Sequence, residues 1–241
     1  MTGFKERKVS GIRGHSDIAA RTSGYFQLLF GMTDTRLYGW SPLHLYTSGV
    51  ELFRQNDPAK QVYFIERGIV KVSCICPRGE EVIISLRRSN WLLGATQVIS
   101  GNTYMTTATT LTPCSIRCIA ARLFMDQLTT DNAFSVEVNR MLSLEIGHNI
   151  RKIISLECMS ATERLKNFLC ELISCEDLAG LETKGRLELP LKSAELAEII
   201  AVTPQHLYRI LRDPDLKVHL KQSKKILSII DPLSFLHRQF S

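Results

Sequence analysis

The 241-residue chain has no run of roughly eighteen or more uncharged apolar residues, so the sequence offers no candidate for a membrane-spanning helix. Its first residues, MTGFKERKVSGIRGHSD, carry charges, but no apolar segment with a small-residue cleavage site follows them. The seven cysteines are odd in number and scattered, unlike the even, dense set of a secreted disulfide scaffold. We therefore expect a cytoplasmic protein with reduced thiols and no membrane partner.

The sequence also lacks the residue sets that carry enzymatic or metal chemistry. It has no phosphate-binding glycine loop and no recognisable set of nucleophile, base and orienting residue. Cys74 and Cys76 lie two apart on an expected strand, and Cys114 and Cys118 are close in sequence. Neither pair is followed by a second pair at metal-ligand spacing. We expect no catalytic residues and no metal site, and nothing supports a haem ligand.

What the chain does have is apolar residues and an excess of positive charge. Hydrophobic residues make up 44% of the sequence, which at this length is enough for a large core. The formal net charge of +6 favours a polyanionic partner, although a soluble surface alone often carries such an excess. Composition leaves these two interpretations open.

Three composition regimes predict an α+β fold. Residues 1–23 are polar and basic, which is typical of a mobile arm. Short β-rich runs with turn signals roughly every ten residues predict an antiparallel β jelly roll over 24–120. A helical period over 121–158 predicts a connecting and dimerisation helix, and 159–241 follows as a separate domain.

The helical period produces one long apolar stripe. It begins at Phe134, and a helix of about 25 residues would be roughly 37 Å long. Such a stripe can pack on its own β domain or on a second copy of the chain, and its length favours a parallel homodimer. The expected interface consists of Val138, Leu142, Ile146, Ile150 and Ile153.

The last segment has the signals of a helical domain with a small β wing. Ser160 to Glu163 reads SATE, the order of a helix capping box. RLELPLK predicts a strand, and KVHLKQSKKILSIID predicts a hairpin with a polar turn at Gln222 to Lys224.

Within this domain, SAELAEIIAVTPQHLYRILR predicts a helix-turn-helix. The small Ala197 and Ala201 allow two helices to cross closely, Thr203 suits an N-cap, and Pro204 suits the first helical position. Leu207 and its apolar neighbours anchor the second helix. Its exposed N-terminal half then carries Gln205, His206, Tyr208 and Arg209.

From about Ser23 to its end, the chain resembles the Crp/Fnr transcription regulators. ELAEIIAVTPQHLYRIL is similar to their helix-turn-helix, and ILSIIDPLSFL to their wing and closing helix. LYTSGVELFRQNDPAKQVYFIERGIVKV follows the turn order of their cyclic-nucleotide-binding-type jelly roll. The resemblance implies a homodimeric, sequence-specific regulator of double-stranded DNA that binds a near-palindromic site, contacts RNA polymerase and responds to a small-molecule effector.

Departures from the family pattern bear on the effector. Members that bind cyclic nucleotides carry Gly-Glu and, further on, Arg followed by Ser or Thr, whereas this chain has Gly94-Ala95 and Tyr104-Met105. A buried phosphate would lack its cation, so we expect neither cAMP nor cGMP to bind. The family's iron–sulfur mode needs cysteines near the N-terminus, and the first one here is Cys74. The candidate pocket for an unidentified apolar or aromatic effector, which can equally be read as ordinary core, comprises Trp91, Leu93, Gly94, Ala95, Tyr104 and Met105.

The resemblance also assigns base contacts. The family's Glu and Arg on the recognition helix correspond to Gln205 and Arg209, so Arg209 suits guanine and Gln205 suits adenine in place of cytosine. Asp213-Pro214 should end that helix near Arg212. Three lysines of the predicted wing, Lys221, Lys224 and Lys225, either contact phosphates or form a solvated turn. The predicted DNA-binding residues are Thr203, Gln205, His206, Tyr208, Arg209, Lys221, Lys224 and Lys225. The competing hypothesis is a ligand-binding or protein-interaction module on the same fold that does not read DNA.

Overall fold

The computed structural model describes residues 39–173, 182–183, 185–232 and 234–235. The predicted arm at 1–23 and residues 24–38 of the predicted jelly roll lie outside the described residues. Antiparallel sheets come first along the chain and helices with a small sheet come last, so the α+β prediction is confirmed.

The N-terminal part is a β jelly roll. Its elements are β1 (His44–Tyr46), β2 (Glu51–Phe53), β3 (Gln61–Arg67), β4 (Val70–Ile75), β5 (Glu81–Arg87), β6 (Trp91–Leu93), α1 (Ala95–Ser100), β7 (Thr107–Thr110) and β8 (Cys114–Ala120). Among the described residues they form two four-stranded antiparallel sheets, ordered β1-β8-β3-β6 and β2-β7-β4-β5. Glycine-containing turns such as that at Gly79, with φ of 82°, let neighbouring strands reverse direction.

Side chains of both sheets build the core of the jelly roll. Burial alternates along β5, and Ile84 packs against this core. One apolar cluster, which includes Phe53 and Ile116, draws on both sheets. The side chains thus fill the space between the sheets, as two packed layers require.

Two helices, not one, follow the jelly roll: α2 (Ala121–Thr130) and α3 (Asn132–Cys158). Asp131 separates them with an extended conformation, φ −114° and ψ 102°. Its Oδ1 accepts hydrogen bonds from the backbone N–H groups of Ala133 (2.9 Å) and Phe134 (3.1 Å), which starts α3 as a new helix. With 27 residues, α3 is about 40 Å long.

The C-terminal part contains α4 (Ala161–Ile173), β9 (Glu182–Thr183), β10 (Arg186–Leu189), α5 (Ser193–Ile199), α6 (Pro204–Ile210), α7 (Pro214–Lys217), β11 (Leu220–Gln222) and β12 (Leu227–Ile230). The strands form one sheet in the order β11-β12-β10-β9. The predicted capping box is confirmed: Ser160 N donates to Glu163 Oε2 at 2.7 Å, and Glu163 N donates to Ser160 Oγ at 3.3 Å.

The C-terminal part packs on β5, the edge strand of its sheet. Glu198 of α5 accepts a hydrogen bond from the backbone N–H of Ile83 through Oε1 at 2.6 Å. Lys71 Nζ of β4 lies 3.3 Å from Glu195 Oε1 of the same helix. Ile69 of the jelly roll belongs to the apolar cluster of the C-terminal part. The edge strand, whose open N–H groups are otherwise a pairing hazard, is thereby covered by α5.

Candidate nucleic-acid interface

The start of α6 has the predicted cap. Thr203 Oγ1 accepts a hydrogen bond from the backbone N–H of His206 at 3.2 Å, and Thr203 is in an extended conformation. Pro204 takes the first helical position, where its missing N–H leaves no partner unsatisfied. The helix therefore begins at a point set by its own sequence.

One side of α6 is buried and the other faces solvent. Leu207 and Ile210 are 1% and 6% exposed and lie in the core of the C-terminal part. The opposite side consists of four exposed residues, which we call the reading surface: Gln205, His206, Tyr208 and Arg209. Three of them lie with Pro204 on one open surface of the protein. The described structure thus brings together the polar residues that the sequence singled out on this helix.

Arg212 extends the reading surface and was missed in the sequence. Its guanidinium carbon lies 5.5 Å from the centre of the Tyr208 ring, a distance suited to a cation–π contact. The signal was the spacing of four residues between Tyr208 and Arg212, which would bring the two side chains together if the helical turn continued to Arg212. The contact places a second cation, in addition to Arg209, next to the Tyr208 ring.

The predicted end of the recognition helix is confirmed. The helix ends at Ile210, and Asp213 caps α7 by accepting a hydrogen bond from the backbone N–H of Asp215 at 3.0 Å. Pro214 occupies the first position of that short helix. Pro214 and the local cap bond at Asp213 together explain why α6 cannot continue.

The hairpin of β11 and β12 forms the predicted wing. Lys221 pairs with Ser228 across it, and Lys224 and Lys225 lie in the turn. Ser223 closes this turn, since its N–H donates to Ile226 O at 2.9 Å and its Oγ accepts from Ile226 N at 3.0 Å. All three lysines are exposed, so the wing presents positive charge to solvent.

The apolar stripe of α3 divides into two halves. Phe134 and Val138 are 2% and 1% exposed and pack in a cluster with the jelly roll. The assignment of Val138 to a dimer interface is therefore wrong, because its side chain is already buried within the protomer. Leu142 is partly buried in the same cluster. Beyond it, Ile146, Ile150 and Ile153 are 60%, 51% and 60% exposed, and we call these three the isoleucine stripe.

Tyr104 occupies the interior beside the Gly94-Ala95 pair. It is 3% exposed, and its ring stacks on Phe53 with centroids 3.9 Å apart. Its hydroxyl donates to Gln61 O at 2.6 Å. Gly94 has φ of 79°, and a Cβ there would lie 2.8 Å from Tyr104 Cε1, so the backbone approaches the ring as closely as only glycine permits. Desolvation by burial raises the pKa of Tyr104, which keeps its hydroxyl neutral.

The other predicted effector residues do not all line one space. Leu93 and Ala95 are buried, whereas Met105, next to Tyr104 in sequence, is 69% exposed. Trp91 is half-buried next to His148 of α3, and the Arg87 guanidinium lies 4.4 Å from the centre of its ring. The set remains a prediction: Leu93 and Tyr104 belong to one apolar cluster and Trp91 packs against it, whereas Ala95 belongs to another cluster and Met105 lies on the surface.

Arg87 belongs to a polar cluster between β5 and α3 that the sequence did not indicate. Its Nη2 lies 3.2 Å from Glu145 Oε1, and Trp91 packs edge-on against His148 with ring centroids 6.1 Å apart. Burial first, and then the surrounding cations led by Arg87, lower the pKa of His148 to about 3, so the imidazole is neutral. Burial raises the pKa of Glu145, and Arg87 opposes this shift.

Other site classes find no support in the part of the chain that the structure describes. No group of three or more His, Cys, Asp or Glu side chains there is arranged to hold a metal ion. Burial, with Cys76 beside it, raises the pKa of the Cys74 thiol, which makes it a poorer nucleophile and metal ligand. None of the described helices combines the length and apolarity that crossing a membrane requires.

Several known proteins similar to this chain are transcription regulators. The cyclic nucleotide-binding domain family matches residues 43–131. The global nitrogen regulator of Nostoc sp. is 30% identical over 193 residues, which are 79% of this chain and 85% of that protein. FixK2 from Bradyrhizobium japonicum matches with a TM-score of 0.65 and 19% identity, covering 83% of this chain and 97% of its own. A CRP/FNR family transcriptional regulator from Thermus thermophilus matches with a TM-score of 0.64 and 16% identity, covering 83% and 99%.

Proposed function

The chain belongs to the Crp/Fnr family of DNA-binding transcription regulators, and from this premise we propose that it binds a near-palindromic DNA site with α6 of each protomer in a major groove. Its relatives are transcription regulators and not enzymes, and regulators of this family act as dimers. The observation that carries the proposal is the exposed reading surface, which runs along α6 from Gln205 near its start to Arg209 near its end. The N-terminal end of this helix is the end that enters the groove in a helix-turn-helix.

Base contacts in this proposal come from two residues. Arg209 donates two hydrogen bonds to guanine O6 and N7, and Gln205 pairs with adenine N6 and N7. Tyr208, with Arg212 against its ring, contacts a thymine methyl group or a phosphate. The remaining predicted contacts are to phosphates and carry no sequence information: Thr203, His206, Lys221, Lys224 and Lys225.

The isoleucine stripe supplies the dimer contact in this proposal. Three large apolar side chains at helical spacing are exposed on the C-terminal half of α3, where Glu145 and His148 make the contacts with the jelly roll. A two-fold axis along this half would bury each stripe against its copy. The two α6 helices then have to reach successive major grooves, whose centres are about 34 Å apart.

The effector in this proposal is a small molecule other than cAMP or cGMP. Tyr104 fills the space beside Gly94, and Ala95 offers no carboxylate to a ribose hydroxyl. A cyclic phosphate entering there would meet a buried phenol and no cation. The proposal also includes a contact with RNA polymerase and a cytoplasmic location, as the family resemblance implies.

Selection of binding sites from a random pool of DNA duplexes tests the proposal. Purified protein at near-physiological salt, with no added ligand, is expected to enrich a two-fold symmetric motif with half-sites one helical turn apart. Arg209→Ala should remove that enrichment. If a folded, dimeric protein enriches no motif, even with small-molecule extract of its source cells added, the competing hypothesis of a module that does not read DNA is favoured.

A further inference from the structure

The turn between α5 and α6 holds an alanine in a conformation that usually requires glycine. Ala201 has φ of 54°, in the left-handed region. Its N–H donates to Glu198 O and the N–H of Val202 donates to Ala197 O, both at 2.9 Å. This is the hydrogen-bond pattern of a Schellman motif, in which the left-handed position is usually glycine. The role expected for Ala201 in the helix crossing is therefore wrong: it lies exposed in the turn, and Ala197 alone is buried at the crossing.

One arginine on a different helix holds this turn. Arg164, in the first turn of α4, donates from Nε to Ile200 O at 2.8 Å and from Nη2 to Ala201 O at 3.3 Å. Its Nη1 donates to Met159 O, the C-cap of α3, at 2.8 Å. A single guanidinium therefore joins the end of the long helix to the turn of the helix-turn-helix. Only the planar fork of arginine can reach three such acceptors in fixed directions.

The bonds from Arg164 lie where they can affect the direction in which α6 begins. The carbonyl groups of Ile200 and Ala201 lie two or three residues before the Thr203 cap, so their orientation sets the direction in which α6 begins. Without the guanidinium, both carbonyl groups would lose this donor. The alanine then has less to hold it in a backbone region that an L side chain disfavours. The burial of Leu207 would keep α6 attached but not fix its angle.

We propose that Arg164 is a positioning residue for DNA recognition, which holds the Ala201 turn in its left-handed conformation and thereby fixes the angle of α6. The proposal rests on the DNA-binding function above, although Arg164 itself touches no base in it. The sequence gives little indication of this role, because Arg164 is only a charged residue next to the apolar stripe of α4 that Leu165 and Phe168 form.

The test uses the full-length protein and the duplex obtained by selection, with fluorescence anisotropy as the readout. Arg164→Ala should weaken specific binding by about tenfold or more, because strong hydrogen bonds from a charged donor are lost. Arg164→Lys should lie between that variant and the wild type. Arg122→Ala, which removes the same charge from an exposed site on α2, serves as the matched control and should bind as the wild type does.

The decisive variant combines Arg164→Ala with Ala201→Gly. Glycine adopts the left-handed conformation without strain, so it should restore specific binding by about threefold or more although the arginine is still missing. Ala201→Gly alone should bind at least as tightly as the wild type. A role that is only structural would lower the free energy of unfolding in urea without this recovery of binding.

Three results would overturn the inference. The first is wild-type affinity in Arg164→Ala, and the second is a loss that Ala201→Gly leaves unchanged. The third is a decrease of about one in the slope of log affinity against log salt, which would make Arg164 a phosphate contact. If Arg164→Ala does not fold, Arg164→Lys with and without Ala201→Gly gives the same comparison. A wild-type protein that shows no preference for the selected duplex would instead contradict the proposed function.

Discussion

Replacing Ile150 by alanine should weaken the dimer without unfolding the protomer. The side chain is 51% exposed in the protomer, so a second copy of the chain removes the remaining half of its surface from water. Full burial of an isoleucine side chain contributes about 1.5–3 kcal/mol, so this half contributes about 1 kcal/mol. Because the dimer is two-fold symmetric, both protomers carry the substitution, so the dimer loses about 2 kcal/mol of association free energy. Its dissociation constant should rise roughly thirtyfold.

Sedimentation equilibrium over a range of protein concentrations measures this dissociation constant directly. Leu45→Ala is the matched control, because Leu45 is 80% exposed on the edge strand β1, away from the isoleucine stripe. It should leave the dimer unchanged. Equal dissociation constants for the wild type and Ile150→Ala would refute the reasoning and place the dimer contact elsewhere on the protein.

Two further predictions concern specificity and the effector. Gln205→Glu should change the preferred base at one symmetric position of the site from adenine to cytosine, because a carboxylate accepts from cytosine N4 but cannot donate to adenine N7. Repeating the selection with this variant measures the change. An unchanged motif would show that Gln205 contacts no base. Titration calorimetry with cAMP should give no binding heat at millimolar nucleotide, since Tyr104 is buried where the ligand would need space, and saturable binding would contradict the proposed exclusion of cyclic nucleotides.

Sequence reasoning worked best where the structural signal is local. The cap at Thr203, the proline at position 204 and the stop at Asp213-Pro214 each act within a few residues, so the ends of α6 followed from the printed sequence. The capping box at Ser160 is of the same kind. These signals place the recognition helix without knowledge of the rest of the fold.

Long-range packing was less accessible. The apolar period of α3 is the same whether a side chain packs on its own jelly roll or on a second copy, so periodicity could not separate Val138 from Ile150. The helix break at Asp131 depends on one side-chain cap within a continuous apolar pattern. Arg164 and the Ala201 turn meet only in three dimensions, since 37 residues separate them in sequence.

The same limit applies to the predicted effector residues. Trp91 and Tyr104 are close in sequence, but Trp91 contacts the Arg87 cluster beneath α3 while Tyr104 lies between Phe53 and Gly94. Which neighbour each residue meets depends on the order of strands in the two sheets. That order follows from the whole β domain and not from the segment around these residues.

Recognition of DNA bases by the reading surface of α6 can be tested by comparing two variants on two duplexes. Arg209→Ala should lose about 1–3 kcal/mol of binding free energy on the selected duplex and little on a scrambled duplex. Lys224→Ala, on the wing, should weaken binding to both duplexes alike and lower the salt slope by about one. If Arg209→Ala instead weakens binding to both duplexes equally, the arginine contacts only phosphate and the account of base recognition by α6 is contradicted.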